Sequence, residues 1–519
     1  MQVEKIDLHD TNSFSDFFLD YLENKKELKA FYGLRPSIDC FEEQIRKKQF
    51  ADENRKVLCD VLESQYQNTN KSTAVSTNLQ LLKEPNTYTI TTGHQLNIFT
   101  GPLYFIYKIA TAVNACKSLK QQYPDYNFVP VYWMASEDHD FDEISYFNLF
   151  GKKYEWKTDQ KGAVGRYTND GLETVISELP EKVELFERAY LEQNNLADAV
   201  RYYVNELFAD EGVVVLDADH GHLKKLFVPV IKDELLTRKA NQLVESTNAD
   251  LEALGYKPQI YSREINFFYL EDGSRERIVK DGDGYQVNNT TVTFTESEIL
   301  AQLEQHPERF SPNVVMRPLY QETVLPNLAY IGGPAEMVYW LQLPKVFENY
   351  SITFPILLPR NFALYINSAS AKKMAKFELS PQQVFSKAEE LKSEYLAKYG
   401  EKSMSLNGEV GDLEKVYEQL AEKAATVDAS LKGFIAAEHA KAAKGLDNIA
   451  KRLKKSEEQK HETALNQLGA LKDKLFPGGG LQERHDNFLN FYINNPDFIK
   501  QVLSALDAFD LRMHVIKEA

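Results

Sequence analysis

The stretch Thr87-Tyr-Thr-Ile-Thr-Thr92, then Gly93-His-Gln-Leu-Asn-Ile-Phe-Thr-Gly-Pro102 and, farther on, Phe128-Val-Pro-Val-Tyr-Trp-Met-Ala135, decides the fold of this chain. The first run is short and rich in β-branched residues, and the Gly-His-Gln run after it is punctuated like a loop. Thr100, Gly101 and Pro102 predict a helix start, and Leu103, Ile106, Ile109, Val113, Cys116 and Leu119 continue it at helical spacing to about Gln122. Tyr123-Pro124-Asp125 ends the segment. The near-continuous apolar run that follows has the length and content of a strand buried on both faces, as a parallel sheet requires. Strand, helix and strand in this order make a βαβ unit.

Working outward, Gly212-Val-Val-Val-Leu-Asp217 repeats the buried-strand signature and feeds Ala218-Asp-His-Gly-His222 and an amphipathic segment from Leu223 to about Thr237. A further α/β section holds Asn327-Leu-Ala-Tyr-Ile331, the Gly332-Gly333-Pro334 break, a helix from about Ala335, and Ser351-Ile-Thr-Phe-Pro-Ile-Leu-Leu358. Between about 261 and 295, Ile265-Asn-Phe-Phe-Tyr-Leu270, the Asp281-Gly-Asp-Gly284 turn and Thr290-Thr-Val-Thr-Phe294 predict a small β-containing insertion. Residues 1–85 read as a helical segment packing on the core, from the recurrence of Phe14, Phe17, Phe18 and Tyr21 and later Ile45, Val57, Val61 and Leu62. The α/β core then covers 86–379. From 380 to 476 Ala, Lys, Glu and Leu dominate, and Leu413, Val416, Leu420, Ala424, Val427, Leu431 and Phe434 step by three or four. This predicts a helical, coiled-coil-like arm whose apolar seam meets its own hairpin partner or a second subunit. Pro477-Gly-Gly-Gly480 ends the arm, and 477–519 return to the core.

Composition narrows the function classes. With 519 residues, 43% hydrophobic and 26% charged, the chain is of ordinary globular type and can bury a sizeable core. Sixty Lys and Arg against 77 Asp and Glu leave a net charge of −17, which argues against a broad nucleic-acid or anionic-membrane footprint. Cys40, Cys59 and Cys116 are too few and too scattered for a disulfide framework, and no CxxC pair suggests a thiolate metal site. The start, Met1-Gln-Val-Glu-Lys-Ile-Asp, lacks the basic-then-apolar order of a signal peptide, and no apolar run approaches the ~18 residues of a membrane span. The expected setting is reducing and cytoplasmic.

In an open parallel sheet, ligands bind beyond the carboxyl ends of the strands. Three polar clusters fall there: Gly93-His94-Gln95, then Ser136-Glu137-Asp138-His139-Asp140, then Asp217, Asp219, His220 and His222. Gly93 allows a ligand to approach the backbone, and the helix start at Thr100 and Gly101 offers N–H groups to an anion. His94 is a hydrogen-bond donor or an acid/base near neutral pH. Asp138, His139 and Asp140 suit a divalent metal, a substrate ammonium or proton transfer, or a structural turn. A further constellation joins Arg317, a fork for carboxylate or phosphate or an ion-pair partner of Glu336, to a second anion-friendly helix start at Gly332 and Gly333. Tyr339 and Trp340 follow it as core residues or ligand stackers.

Those same residues carry a resemblance. Thr92-Gly-His-Gln, Phe99-Thr-Gly-Pro-Leu-Tyr104, Tyr107-Lys108, Trp133 and Glu137-Asp-His-Asp-Phe141 strongly resemble the bacillithiol biosynthesis cysteine-adding enzyme (cysteine ligase) family. So do Arg317-Pro, Ala329-Tyr-Ile-Gly-Gly-Pro334, Glu336, Tyr339-Trp340 and Gly480-Leu-Gln-Glu-Arg484. The resemblance implies a Rossmann-like parallel-sheet core with connecting-peptide insertions, akin to class I aminoacyl-tRNA synthetases, plus an α-helical coiled-coil domain used for homodimerisation. It implies a ligase that joins the carboxyl of cysteine to the amine of glucosaminyl malate, giving the low-molecular-weight thiol bacillithiol. ATP with Mg²⁺ would activate cysteine as an acyl-adenylate or an acyl phosphate. His94, Asp138, His139 and Asp140 would then be catalytic, with no resident metal. Gly93, Gln95, Thr100, Gly101, Glu137, Arg317, Gly332, Gly333, Glu336 and Tyr339 would bind substrate or nucleotide.

The chain departs from the synthetase pattern in having one histidine in Gly93-His94-Gln95 where HxGH supplies two, and in lacking a KMSKS-like lysine loop. ATP use therefore rests on chemistry and fold analogy rather than on a nucleotide motif. Two rivals follow from the same residues: a non-catalytic dimeric scaffold that presents nucleotide or sugar precursor to a partner enzyme, and a metal-dependent hydrolase using His94, Asp138, His139 and Asp140.

Overall fold

The computed structural model describes residues 2–400 and 406–518. Contacts divide the chain into two units, Met1–Tyr365 with Gly480–Lys517, and Ile366–Gly479 with Glu518. The first unit is built on five parallel strands: β1 (Thr87–His94), β2 (Asn127–Met134), β3 (Val214–Asp217), β4 (Asn327–Gly332) and β5 (Ile356–Pro359). Their order across the sheet is β5-β4-β1-β2-β3. The chain thus lays β2 and β3 on one side of β1, then returns to lay β4 and β5 on the other, so that β1 and β4 flank the topological switch point of a doubly wound sheet.

The strand sequences explain the arrangement. Val129, Val131, Val214, Val215, Leu216, Ile356, Leu357 and Leu358 are all buried, as strands covered on both faces must be. Strand β1 is unusual in its threonines, which are β-branched but polar, so their hydroxyls need partners: Thr91 donates to Asn327 Oδ1 (2.8 Å) and Thr92 to the Ile331 carbonyl (2.9 Å). Helix α1 (Tyr104–Gln122) makes the crossover from β1 to β2 and is buried along most of its length.

Three sequence expectations are corrected. The helix after β1 does not start at Gly101: Phe99, Thr100 and Gly101 all have positive φ (51°, 69° and 60°), a tight non-helical turn, and the helix begins at Tyr104. Gly101 is required there, because a Cβ would lie 2.6 Å from Asn97 Cβ and the backbone is left-handed. The N-terminal segment is not wholly helical. It opens with a strand, Gln2–Ile6, paired antiparallel to Met513–Lys517. Its helical part is broken into Asp16–Leu22, Phe41–Lys47, Asp52–Gln65 and Thr73–Leu81, and Gly33 and Pro36 fall in the first break. The β-insertion also extends past residue 295: the antiparallel order runs Thr293–Phe294, Gly284–Val287, Ser274–Asp281, Phe267–Glu271, and finally Phe310–Pro312. That last strand feeds α2 (Arg317–Val324).

The second unit is helical, with Ala388–Tyr399, Asn407–Val427, Leu431–Lys460 and Glu462–Leu475 as its main helices. Leu465, Leu468, Leu471 and Leu475, at spacings of three and four, are buried together with Leu391 and Leu396. The hairpin Asn407–Val427 and Leu431–Lys460 is different: its seam residues Val416, Leu420, Val427, Leu431, Phe434, Ile449 and Leu453 are exposed. All three cysteines are free thiols, Cys59 and Cys116 buried and Cys40 half-buried. No helix among the described residues is long and apolar enough to cross a membrane.

Candidate active site

A cavity of about 510 Å³ opens beyond the carboxyl ends of β1, β2 and β4 and is closed on its far side by the antiparallel insertion. Its floor is made by strand ends. Gly93 and His94 finish β1, Trp133 and Met134 finish β2, and Tyr330 stands on β4. A Cβ on Gly93 would meet Tyr330 Oη at 3.3 Å and Arg317 Nη1 at 3.7 Å, so glycine leaves room for these two groups to face the cavity.

Behind the floor lies an ion pair. Lys108 on α1 places Nζ 2.6 Å from Glu336 Oε2 and 2.7 Å from the Gly93 carbonyl. Glu336, on helix α3 (Pro334–Trp340), also accepts from Tyr330 Oη (2.5 Å) and Gly333 N (2.8 Å). Burial raises the Glu336 pKa, but the Lys108 charge and these hydrogen bonds outweigh it and hold the carboxyl at about 2. Arg317 therefore has no pairing with Glu336. It donates instead to Gln321 Oε1 (3.1 Å) and Tyr339 Oη (3.2 Å), both neutral, so its charge is left for the cavity.

The acidic loop after β2 is organised by Asp138. Its Oδ2 accepts from Gln95 Nε2 (2.9 Å) and its Oδ1 from the His139 backbone N–H (2.7 Å), with Arg275 Nη1 3.9 Å away. Burial opposes ionisation, yet the hydrogen bonds from the Gln95 side chain and the His139 backbone N–H, with the Arg275 charge, prevail and hold the carboxyl well below the usual carboxylate range. Glu137 is neutralised by the buried Lys224 (2.5 Å), which also donates to the Phe310 carbonyl. His94 donates through Nδ1 to the Gln95 carbonyl (2.9 Å); burial, and next the Lys108 charge, lower its pKa to about 4, so the ring is neutral at pH 7.

Among the sequence-selected residues, Gly93, His94, Gln95, Glu137, Asp138, His139, Arg317, Glu336 and Tyr339 line this one cavity. Asp140 lies instead on a neighbouring cavity of about 350 Å³ that shares His139 and Arg275 with the first. Thr100, Gly101, Gly332 and Gly333 line neither. Their expected anion-binding N–H groups are already occupied: Gly101 N donates to the Ile98 carbonyl (2.9 Å), Leu103 N to the Asp486 carbonyl (2.7 Å) and Gly333 N to Glu336 Oε2 (2.8 Å). Asp217 and Asp219 serve structure. Asp217 accepts from Ser136, and burial raises its pKa to about 6; Asp219 is held by Arg166 (2.8 and 3.0 Å).

Three lining cations escaped the sequence reading: Arg263, Arg275 and Arg277, all from the insertion. Arg275 and Arg277 sit two apart on the strand Ser274–Asp281, and residues i and i+2 share a strand face. That spacing was a legible signal, but only once the insertion is known to fold over the sheet. With Arg317 they make four guanidinium groups against Glu137, Asp138 and Glu336, two of which have their own lysine. The cavity is cationic in a chain of net charge −17, and fits a ligand carrying carboxylates or phosphates. Among the described residues no three His, Cys, Asp or Glu side chains converge as a metal-ligand set.

In comparison with known families, residues 1–361 match the bacillithiol biosynthesis BshC N-terminal Rossmann-like domain, and residues 363–518 match the BshC C-terminal coiled-coil domain. A protein of Flavobacterium psychrophilum is 44% identical, with all of both chains covered, and one of Cytophaga hutchinsonii is 41% identical over 98% of each. A Bacillus anthracis protein is 28% identical over 96% of this chain and 97% of its own. Each bears the name "Putative cysteine ligase BshC".

Proposed function

This chain belongs to the BshC family of bacillithiol biosynthesis, whose two domains span it, and on that premise we propose that it joins the carboxyl of cysteine to the amine of glucosaminyl malate through nucleotide-activated cysteine. The observation that carries the reading is the cationic cavity at the switch point, with Arg317 facing it and held only by neutral partners. A half-buried guanidinium stacked on Tyr330 and Trp340 but without an ion-pair partner is well placed to be completed by a ligand anion. The two carboxylates of a malate group match that fork.

ATP fits the residues present: Arg263 and Arg277 on the insertion have no carboxylate partner among the described residues and would hold its phosphates, with Mg²⁺ accompanying the nucleotide. When bound, the nucleotide supplies the activation that a free carboxylate needs before it can form an amide. Asp138, held ionised, offers a counter-charge to the incoming amine, and Gln95 fixes its rotamer. Trp133 and Met134 supply an apolar floor. The reaction belongs in the cytoplasm, and the exposed apolar seam of the arm supports a homodimer.

The test is direct. Purified protein is incubated with cysteine, glucosaminyl malate, Mg²⁺ and ATP, and product and nucleotide are followed by mass spectrometry. Bacillithiol with AMP supports an adenylate route, and bacillithiol with ADP an acyl phosphate. Folded protein that yields no product with any nucleoside triphosphate overturns the ligase reading in favour of a scaffold for a partner enzyme.

A further inference from the structure

A neutral imidazole has one nitrogen that donates and one that accepts, and the partner of one nitrogen decides what the other offers. The cavity holds two histidines whose Nδ1 atoms have opposite kinds of partner. His94 Nδ1 lies 2.9 Å from the Gln95 carbonyl oxygen, which can only accept. The hydrogen is therefore on Nδ1, and Nε2 carries a bare lone pair. His139 Nδ1 lies 2.8 Å from Arg275 Nη1, and a guanidinium can only donate. There Nδ1 accepts and the ring hydrogen is on Nε2.

The competing partner for His139 is Asp138, which would favour the other arrangement. Its Oδ1 is 3.7 Å from Nδ1, beyond hydrogen-bond length, and already accepts the His139 backbone N–H at 2.7 Å. Arg275 cannot swing aside to yield its place. Its Nε donates to Ser311 Oγ (3.1 Å), its Nη2 to the Pro312 carbonyl (3.2 Å), its plane lies over the Phe268 ring at 3.9 Å, and its side chain is 8% exposed.

We propose that the cavity holds its two histidines in opposite tautomers, His94 presenting an acceptor and His139 a donor, with Arg275 as the positioning residue that sets the state of His139. The tautomers stand on geometry alone; their use in catalysis rests on the amide-forming reading above. When the amine nitrogen bonds to the activated carboxyl carbon, its hydrogen must leave and the carbonyl oxygen gains negative charge. His94 Nε2 takes the hydrogen, which becomes far more acidic once the N–C bond has formed. His139 Nε2–H donates to the oxygen. The C–O bond to the phosphate leaving group then breaks, taking its electron pair with it, and the carbonyl re-forms. This division explains how two residues of one type in one cavity serve two tasks.

The experiment is long-range ¹H–¹⁵N correlation NMR on the intact protein labelled at histidine, with the two rings assigned from His94→Gln and His139→Gln. The expected spectrum shows the Nδ1–H pattern for His94 and the Nε2–H pattern for His139. Arg275→Met is expected to shift His139 towards the other tautomer while leaving His94 unchanged, which also reports an intact fold. One shared tautomer, or a His139 pattern indifferent to Arg275→Met, overturns the proposal. Because the spectrum needs no substrate, absence of ligase activity would overturn the reaction and leave the tautomers standing. In the reaction itself, His139→Gln, whose amide N–H reaches towards the place of Nε2, is expected to keep at least tenfold more kcat than His139→Glu, and equal loss removes the donor role.

Discussion

Lys108 Nζ and Glu336 Oε2 lie 2.6 Å apart, joining the helix that follows β1 to the helix that follows β4. These are the two strands on either side of the switch point, so the pair ties together the walls whose divergence creates the cavity. Its Lys108 side chain is 4% exposed, which makes the pairing a matter of stability as well as of shape.

The pair predicts a pH dependence. The Glu336 carboxyl is held at about 2 against an ordinary 4.5, so its contribution is present above pH 4.5 and is lost as the pH falls through 2. Glu336→Gln is expected to cost about 3 kcal/mol at pH 7, the usual scale for breaking a buried pair. It should also flatten the decline of stability in that acidic window. Urea titrations at several pH values read both effects, and an unchanged slope would show that Glu336 is not held ionised by Lys108.

Arg317 faces the cavity with neutral partners only. Replacing it with Ala should raise KM for the dicarboxylate-bearing substrate about 10- to 100-fold, the worth of a charge-assisted hydrogen bond, while Arg317→Lys restores only part because a lysine cannot bind bidentately. Steady-state kinetics with the malate conjugate and with a descarboxy analogue check this. Equal KM changes for both would place Arg317 elsewhere in the reaction.

Gly101 sits at φ 60° with Asn97 Cβ in the space a side chain needs, and Asn97 is itself held by the Glu143 carbonyl (2.9 Å). Gly101→Ala should destabilise by about 2–4 kcal/mol through strained backbone and overpacking together. Thermal unfolding measures it. A neutral result would show that the Phe99–Gly101 turn can rearrange.

The exposed seam of the long hairpin, including Leu420 and Leu453, should form the contact between two copies. Leu420→Asp with Leu453→Asp is expected to turn a dimer into a monomer in sedimentation velocity, with helix content by circular dichroism unchanged. A dimer that survives both changes would put the interface outside this seam.

Much of the architecture was legible in the chain because it depends on local pattern. Phe128–Ala135 and Val213–Leu216 announce strands covered on both faces, and the apolar steps of three and four along 380–476 announce helices, since burial selects residue types at a spacing that the backbone repeats. The place of Gly93-His94-Gln95 and Glu137–His139 on the cavity was legible because strand ends in a parallel sheet are where ligand clefts open. The turn at Phe99–Gly101 was misread for an equally local reason: Thr-Gly-Pro is compatible with a helix start and with a left-handed turn, and the choice was made by Asn97 and Asn487.

What the residues determined alone was therefore the kind of element, its buried face and the chemistry available at strand ends, all set by neighbours a few positions apart. What only the tertiary structure decided was which charges meet. Glu336 pairs with Lys108, 228 positions away, rather than with Arg317 nearby, and Arg275 reaches His139 from 136 positions later. A hydrogen bond works over about 3 Å, so partners, and with them the ionisation and tautomer of each site residue, are decided only when the insertion folds over the sheet and excludes water.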